Sequence, residues 1–519
     1  MQATSRLHHD HEAAHTTSHI SSLPTELLRL VFIHFRGDRH LDPSASDPVW
    51  KLLHVCKRWR DVAQAQSSLW CRINTVMQNW LMITVHPLSD RRVALICKVL
   101  ERYLINSHDH PLDIDSLWIC QDSWWRPVVE LLCRHQARWR DVTVRDSGVE
   151  QLVKVAKASL SVESSQAVPL PLLRSFRKIT QGAVDLSCLA QIMQAPGLFI
   201  LKLCPDIAHA PPHALPWAQI TRYQGASYSK EGHQFLLSYM PNLKTCAVQG
   251  NSRAPDSLSP VRCQLLRLWS LGLDSSDWCL PYLEAPVLGK LRSYAGDNRA
   301  LFDFLTRSGR PSLTALSTAY GAQETGDDHL CQIICLCPAL RVLSLRAAGD
   351  SPTDIFALLA NTSAPVLSQL AVLLIEPWED SPWVDSTAAV SERFVLRVMQ
   401  FVQRLVTRET CRLQSVVIYT DQERPVHDQV LSISRHVLGA ASGVLTVCTD
   451  FESYWGYEKE HFRELDCASD RQVMGRAGAT KTKARSDGDT KTKARSDGDT
   501  KTKARWTHYY RALFLWTES

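Results

Sequence analysis

A proline–leucine pattern that returns at a nearly constant interval constrains this chain more than any other feature. Pro-x-Leu-x-x-(Leu/Cys/Phe) occurs at Pro171, Pro196, Pro241, Pro286, Pro311, Pro338 and Pro365. The gaps are 25, 45, 45, 25, 27 and 27 residues, and each gap of 45 holds a degenerate copy, "AQITRY" from Ala218 and "CQLLRL" from Cys263. With these included, every spacing falls between 22 and 27 residues. A proline at the head of each unit stops the preceding helix and tolerates the missing donor at a strand start. The apolar pairs Leu201/Leu203, Leu343/Leu345 and Leu370/Val372 alternate as one face of a strand should. So short a unit cannot bury its apolar face alone, and stacked neighbours must build the core.

The period resembles that of leucine-rich repeats, in which one short strand is followed by a helical or irregular return. "CRLQSVVIY" from Cys411 and "GVLTVCTD" near Val444 extend the series, while Trp378 to Arg393 contains no copy and reads as an insertion. The run Ile355 to Ile375 lacks charge and is long enough to cross a bilayer. Asn361-Thr362-Ser363 interrupts it and Pro365 follows, so it divides into a return helix, "IFALLANTS", and a strand, "APVLSQLAVLL". No membrane span is expected. The pentapeptide Arg-Trp-Arg-Asp-Val occurs at Arg58–Val62 and again at Arg138–Val142. The second copy runs into an alternating "VTV" and is expected to begin the first strand of the stack.

Charge narrows the range of partners. The net charge is +5, but residues 480–505 hold nine Lys/Arg and four Asp, so the rest of the chain nets to zero. That rest lacks the basic surface a nucleic-acid-binding domain needs. The excess lies in "TKTKARSDGD", repeated verbatim from Thr480 and Thr490, a polar segment expected to be disordered. Sixteen cysteines without a C-x-x-C pair, behind an N-terminus with no apolar signal region, point to reduced thiols in a cytoplasmic or nuclear protein. Cys331, Cys335 and Cys337 lie in an apolar run and read as buried structural residues.

The N-terminal region has a different character. "SLPTELLRLVFIHF" reads as an amphipathic helix with Pro24 and Glu26 in its first turn and Leu27, Leu28, Val31, Phe32 and Phe35 on one face. Asp47-Pro48 opens a second helix through "VWKLLHVCKRWRDVA", with a stripe of Leu52, Val55, Cys56, Trp59, Val62 and Ala63. Leu69-Trp70 follows. Leu-Pro-x-Glu-Leu-Leu, a turn, Val-Cys-Lys-Arg-Trp-Arg-Asp-Val-Ala and a trailing Leu-Trp resemble an F-box domain, nearest the F-box-like form abundant in fungi. The resemblance implies binding to the adaptor subunit of an SCF-type cullin-RING ubiquitin ligase, and through it to the cullin. Carried over residue by residue, the implied contacts are Leu23, Pro24, Glu26, Leu27, Phe32, Val55, Cys56 and Trp59.

"HEAAH", from His11 to His15, matches the H-E-x-x-H pattern of zinc peptidases. Such a site needs a rigid buried helix and a third ligand. These histidines lie outside any apolar periodicity, among His8, His9 and His19, where such pairs arise by composition. No phosphate-cradling glycine loop or nucleophile elbow occurs either. No catalytic residue, metal or cofactor is therefore expected.

The expected fold is α/β: a small all-α N-terminal F-box followed by an irregular leucine-rich-repeat solenoid, with disordered termini. Segments are expected at 1–20 (histidine-rich tail), 21–75 (F-box-like domain), 76–160 (connection and start of the solenoid) and 161–450 (solenoid). A flank at 451–479, the tandem repeat at 480–505 and an aromatic end at 506–519 complete the chain. The expected function is a two-ended adapter whose solenoid binds an unknown protein substrate, with a scaffold that recruits no ligase as the alternative.

Overall fold

The computed structural model describes residues 23–37, 41, 47–75, 89–118, 125–145, 149–160, 170–178, 190, 192, 194–203, 216–226, 236–249, 262–274, 277–294, 297–320, 329–348, 356, 367–378, 392–407, 412–419 and 445–448. The histidine-rich segment with His11 and His15, the flank at 451–479, the tandem repeat and the aromatic end lie outside them, as do most of "IFALLANTS" and the expected insertion.

Three helices come first: α1 (Thr25–Arg36), α2 (Pro48–Val55) and α3 (Lys57–Ala65). Pro24 is the N-cap of α1, one residue before the first turn. Asp47 caps α2, its carboxylate accepting from the Val49 amide at 2.9 Å. The single second helix expected from the sequence is broken at Cys56, which is extended at φ −159°, ψ 172° and caps α3 through its sulfur on the Trp59 amide at 3.5 Å.

Behind them lies one sheet of fourteen strands, every neighbouring pair parallel and every strand beside its sequence neighbour. The strands are β1 (Arg72–Asn74), β2 (Leu112–Trp118), β3 (Trp139–Arg145), β4 (Ser175–Lys178), β5 (Ile200–Leu203), β6 (Arg222–Ala226) and β7 (Thr245–Gln249). They continue as β8 (Ser270–Asp274), β9 (Lys290–Ser293), β10 (Ala315–Tyr320), β11 (Val342–Ala348), β12 (Val372–Trp378), β13 (Ser415–Tyr419) and β14 (Leu445–Cys448). Helices α4 (Asp90–Asn106), α5 (Arg126–Cys133), α6 (Val149–Leu160), α7 (Asn298–Arg307), α8 (His329–Leu336) and α9 (Glu392–Val406) occupy described connections.

The repeat has a physical meaning in this sheet. The register aligns Ile73, Ile114, Val142, Phe176, Leu201, Tyr223, Cys246, Leu271, Leu291, Leu316, Leu343, Leu373 and Val416 in one row, and all are buried. Strand alternation gives the row a single face, and Leu152, Val153 and Ala156 of α6 line a small cavity with Val142 and Phe176. Most units also bury the leucine three residues earlier, as in Leu198-x-x-Leu201 and Leu340-x-x-Leu343.

Three sequence expectations shift. Arg138–Val142 leads into β3, the third strand of the sheet rather than the first, because β1 already pairs with β2 through Ile73↔Ile114. The copy placed at Cys263 is three residues early: Leu271 is its row residue, and Cys263–Gln264 instead pairs with Leu283–Glu284 in a separate two-stranded sheet. The copy at Pro365 slips equally, so the strand pair is Leu373/Ile375 and not Leu370/Val372. In both, Leu-x-x-Leu overlaps itself in sequence, and only the cross-strand register selects the frame. Part of the uncharged run is thus a strand, and among the described residues no helix is long and apolar enough to cross a membrane.

The helical head is not a separate body. One buried cluster runs from Leu28 to Ile418. Leu41 hydrogen-bonds on both sides of Ile73, at 2.7 and 2.8 Å. Trp50 and Trp70 stack with Tyr103 of α4 at centroid distances of 5.6 and 5.7 Å. Cys331 and Cys337 are buried while Cys335 is exposed. Burial pushes the Cys133 and Cys337 thiols up to about 12, which keeps them protonated and inert.

On the opposite face, β2 and β3 place Asp113 beside Asp141. Arg140 binds Asp113 through two nitrogens, at 2.8 and 2.5 Å. The Asp141 side chain is 42% exposed, and its partial burial, then the Asp113 charge, raises its pKa against the opposing pull of Arg177 and Arg140. A folded-state pKa above the unfolded one favours folding most when the carboxyl is protonated, and this contribution is lost as pH rises through the folded value. Asp141→Asn, which stays neutral and can still donate to Asp113, should therefore melt above wild type at neutral pH. The difference should close in acid, as thermal melts at the two pH values would show.

Candidate partner-binding surface

Helix α1 turns three side chains inward at positions i, i+4 and i+8: Leu28, Phe32 and Arg36. Phe32 is fully buried and packs 4.9 Å from the half-buried Trp59 ring of α3. Arg36 donates to the Ser68 carbonyl at 2.5 Å and the Arg72 carbonyl at 3.4 Å, tying α1 to the start of the sheet. Burial, the largest influence, holds its guanidinium pKa below the usual value. Sequence reasoning missed Arg36 because a charged residue conceals an inward position; its spacing from Leu28 and Phe32 was the available signal. Arg36→Ala should lower unfolding free energy by about 2–3 kcal/mol, the scale of losing buried hydrogen bonds to a charged group, measurable by chemical denaturation.

The remaining apolar residues of α1 face solvent. Leu27 (47% exposed), Leu30 (61%), Val31, Ile33 and Phe35 are all uncovered, and Val55 (57%) at the end of α2 joins them. Six of the fourteen large apolar side chains exposed among the described residues lie in this small head. Leu27, Val31 and Phe35 form an i, i+4, i+8 stripe flanked by Leu30. Contiguous exposed apolar surface of this kind marks interaction sites.

The eight residues implied by the resemblance separate accordingly. Pro24, Glu26, Leu27, Val55 and Cys56 are exposed, and Leu23 and Trp59 are partly buried. Phe32 is the correction: its ring meets Trp59, cannot touch a partner, and supports the surface from beneath. Val55 and Cys56 are accessible because the break at Cys56 lifts them off the stripe that a continuous helix would have buried. The break is braced by Arg60, donating to the Leu53 carbonyl at 2.9 Å, and by Arg58, donating to the Leu23 carbonyl. Leu30, Val31, Ile33 and Phe35, all exposed, were not among the residues implied by the resemblance. Among the described residues no group of His, Cys, Asp and Glu is arranged to hold a metal ion.

Residues 20–75 match the family model described as F-box-like. The chain thus carries an F-box-like domain at its N-terminal end, covering all three helices and β1. No curated protein matches the chain.

Proposed function

We propose that this protein is a substrate-recognition adapter of an SCF-type cullin-RING ubiquitin ligase. The F-box-like head binds the ligase's adaptor subunit, and the parallel sheet, read as a leucine-rich-repeat-like solenoid, holds a protein substrate. The observation that carries the reading is the uncovered face of Leu27, Leu30, Val31, Phe35 and Val55 on a segment that matches F-box-like domains. F-box domains bind the adaptor subunit of these ligases, and an apolar helix face is suited to such a contact. The adapter performs no chemistry; it raises the effective concentration of substrate at the ligase. A head that shares its core with the sheet supports this role, because it fixes the substrate's position relative to the ligase.

The test is co-expression of the full chain with the adaptor subunit and the cullin, followed by size-exclusion chromatography. The expected result is a stable complex containing all three. A folded chain that elutes alone would remove the ligase and leave a protein-interaction scaffold.

A further inference from the structure

The sheet face opposite the apolar row carries an arrangement that the adaptor-binding reading leaves unused. The register sets Thr143, Arg177, Lys202 and Gln224 side by side across β3, β4, β5 and β6. Farther along, the same row is occupied by small residues such as Ala247 and Gly272, then by Arg292, and becomes apolar at Leu374 and Val417. Arg177 is 8% exposed and Lys202 only 1%. Both cationic side chains, on backbone positions about 4.8 Å apart by strand spacing, are removed from water.

Their partners do not account for this. Arg177 donates through Nε to the Ser175 hydroxyl at 3.3 Å. Among the described residues Lys202 forms no ion pair, and Arg177 has only the electrostatic pull of Asp141, a carboxylate that Arg140 already holds, while Asp113 is held by Arg72 and Arg140. Beside Lys202, the buried Oε1 of Gln224 has no hydrogen-bond partner, and turning that amide over would present its NH2 group to the same place. A buried charge without a counter-charge is costly, and two adjacent like charges cost more. Such a pair supports folding poorly, but it suits an anion that arrives later: a planar guanidinium and a point-charge ammonium, with the Ser175 and Thr143 hydroxyls in the neighbouring positions.

We propose that Arg177 and Lys202 form an oxyanion-binding site on the sheet, taking a tetrahedral phosphate-type group that is either free or carried as a monoester on the bound protein. The monoester source rests on the substrate-holding role given to the sheet. The free-ion source does not, and neither depends on the adaptor contact of α1, so the two readings fail separately.

The experiment follows thermal unfolding of the full chain, as wild type, Lys202→Met and Arg177→Met. Each is titrated with inorganic phosphate, N-acetyl-phosphoserine amide, acetate and chloride at constant ionic strength. Wild type should gain melting temperature saturably with phosphate or the phosphoserine probe, and not with chloride. Response to phosphate alone identifies a free ion, and response to the phosphoserine probe identifies a monoester. Either methionine variant should bind on the order of tenfold or more weakly. Without ligand, Lys202→Met should melt at or above wild type, because an unpaired buried charge has been replaced by a side chain that packs. The proposal is overturned by an equal response in wild type and variants, by no response to either phosphate probe, by acetate acting as well as phosphate, or by a marked loss of stability in unliganded Lys202→Met.

Discussion

Trp70→Ala is expected to lower unfolding free energy by about 3–5 kcal/mol, the range for removing a fully buried tryptophan. Trp70 has no exposed surface, and its Nε1–H donates to the Ala63 carbonyl at 2.8 Å. Its ring lies 5.8 Å from Trp50 and 5.7 Å from Tyr103, while the Trp50 Nε1–H donates to the Tyr103 hydroxyl at 2.9 Å. One residue therefore joins α3, α2 and α4 just before β1. Against a total stability of about 5–15 kcal/mol, such a loss is large. It should also spread: hydrogen exchange should rise in α1 to α3 and in α4 together. Faster exchange confined to α1–α3 would contradict the shared core. For the same reason, a fragment ending soon after residue 75 should not hold its fold, since it lacks Tyr103 and the β2 edge that pairs with Arg72–Asn74.

The second large effect is on binding rather than folding. Leu27→Asp combined with Val55→Asp should weaken adaptor binding by about 2 kcal/mol or more, roughly thirtyfold, the scale of an interface hot spot. Both side chains face solvent in the unbound protein, so stability should change by no more than about 0.5 kcal/mol per site. Phe32→Ala supplies the contrast. Its ring lies beneath the surface, so it should cost about 3–5 kcal/mol of stability and weaken binding only as the helix loosens. Denaturation and binding measured on the same preparations separate a contact residue from a supporting one.

Much of this architecture was legible in the sequence. The recurring Pro-x-Leu frame located β4, β5, β6, β7, β9, β10 and β11 because a proline and spaced leucines leave a strand one place to sit. Where leucine density blurs the frame, near Leu265–Leu268 and Leu367–Leu370, the frame came out three residues early, and only pairing with Cys246 and Leu343 resolves it. The identical Arg-Trp-Arg-Asp-Val pentapeptides show the limit of local reading. One lies in α3, where Trp59 meets Phe32; the other enters β3, where the Trp139 Nε1–H donates to the Leu132 carbonyl at 3.2 Å. Tertiary partners decide between them.

For the candidate surface, the order of the helices was readable, but the orientation of their side chains was not. Periodicity put Leu27, Val31 and Phe35 on one face with Leu28 and Phe32, of which only the last two are buried, and it missed Arg36. The break at Cys56 depends on a thiol capping its own next turn, which no spacing rule signals. Arg177 and Lys202 were invisible for a similar reason: a lysine in a strand reads as solvated until the register sets it beside an arginine.

The most direct test of the central claim, that the outward face of α1 and the end of α2 is the ligase-recruiting surface, is isothermal titration of the full-length protein into the isolated adaptor subunit. Wild type and Leu27→Asp/Val55→Asp should be compared after their melting temperatures are shown to match. The account predicts saturable one-to-one binding for wild type and at least a thirtyfold loss in the variant, on the hot-spot scale above. Equal binding by the two proteins, or none by either, would contradict it.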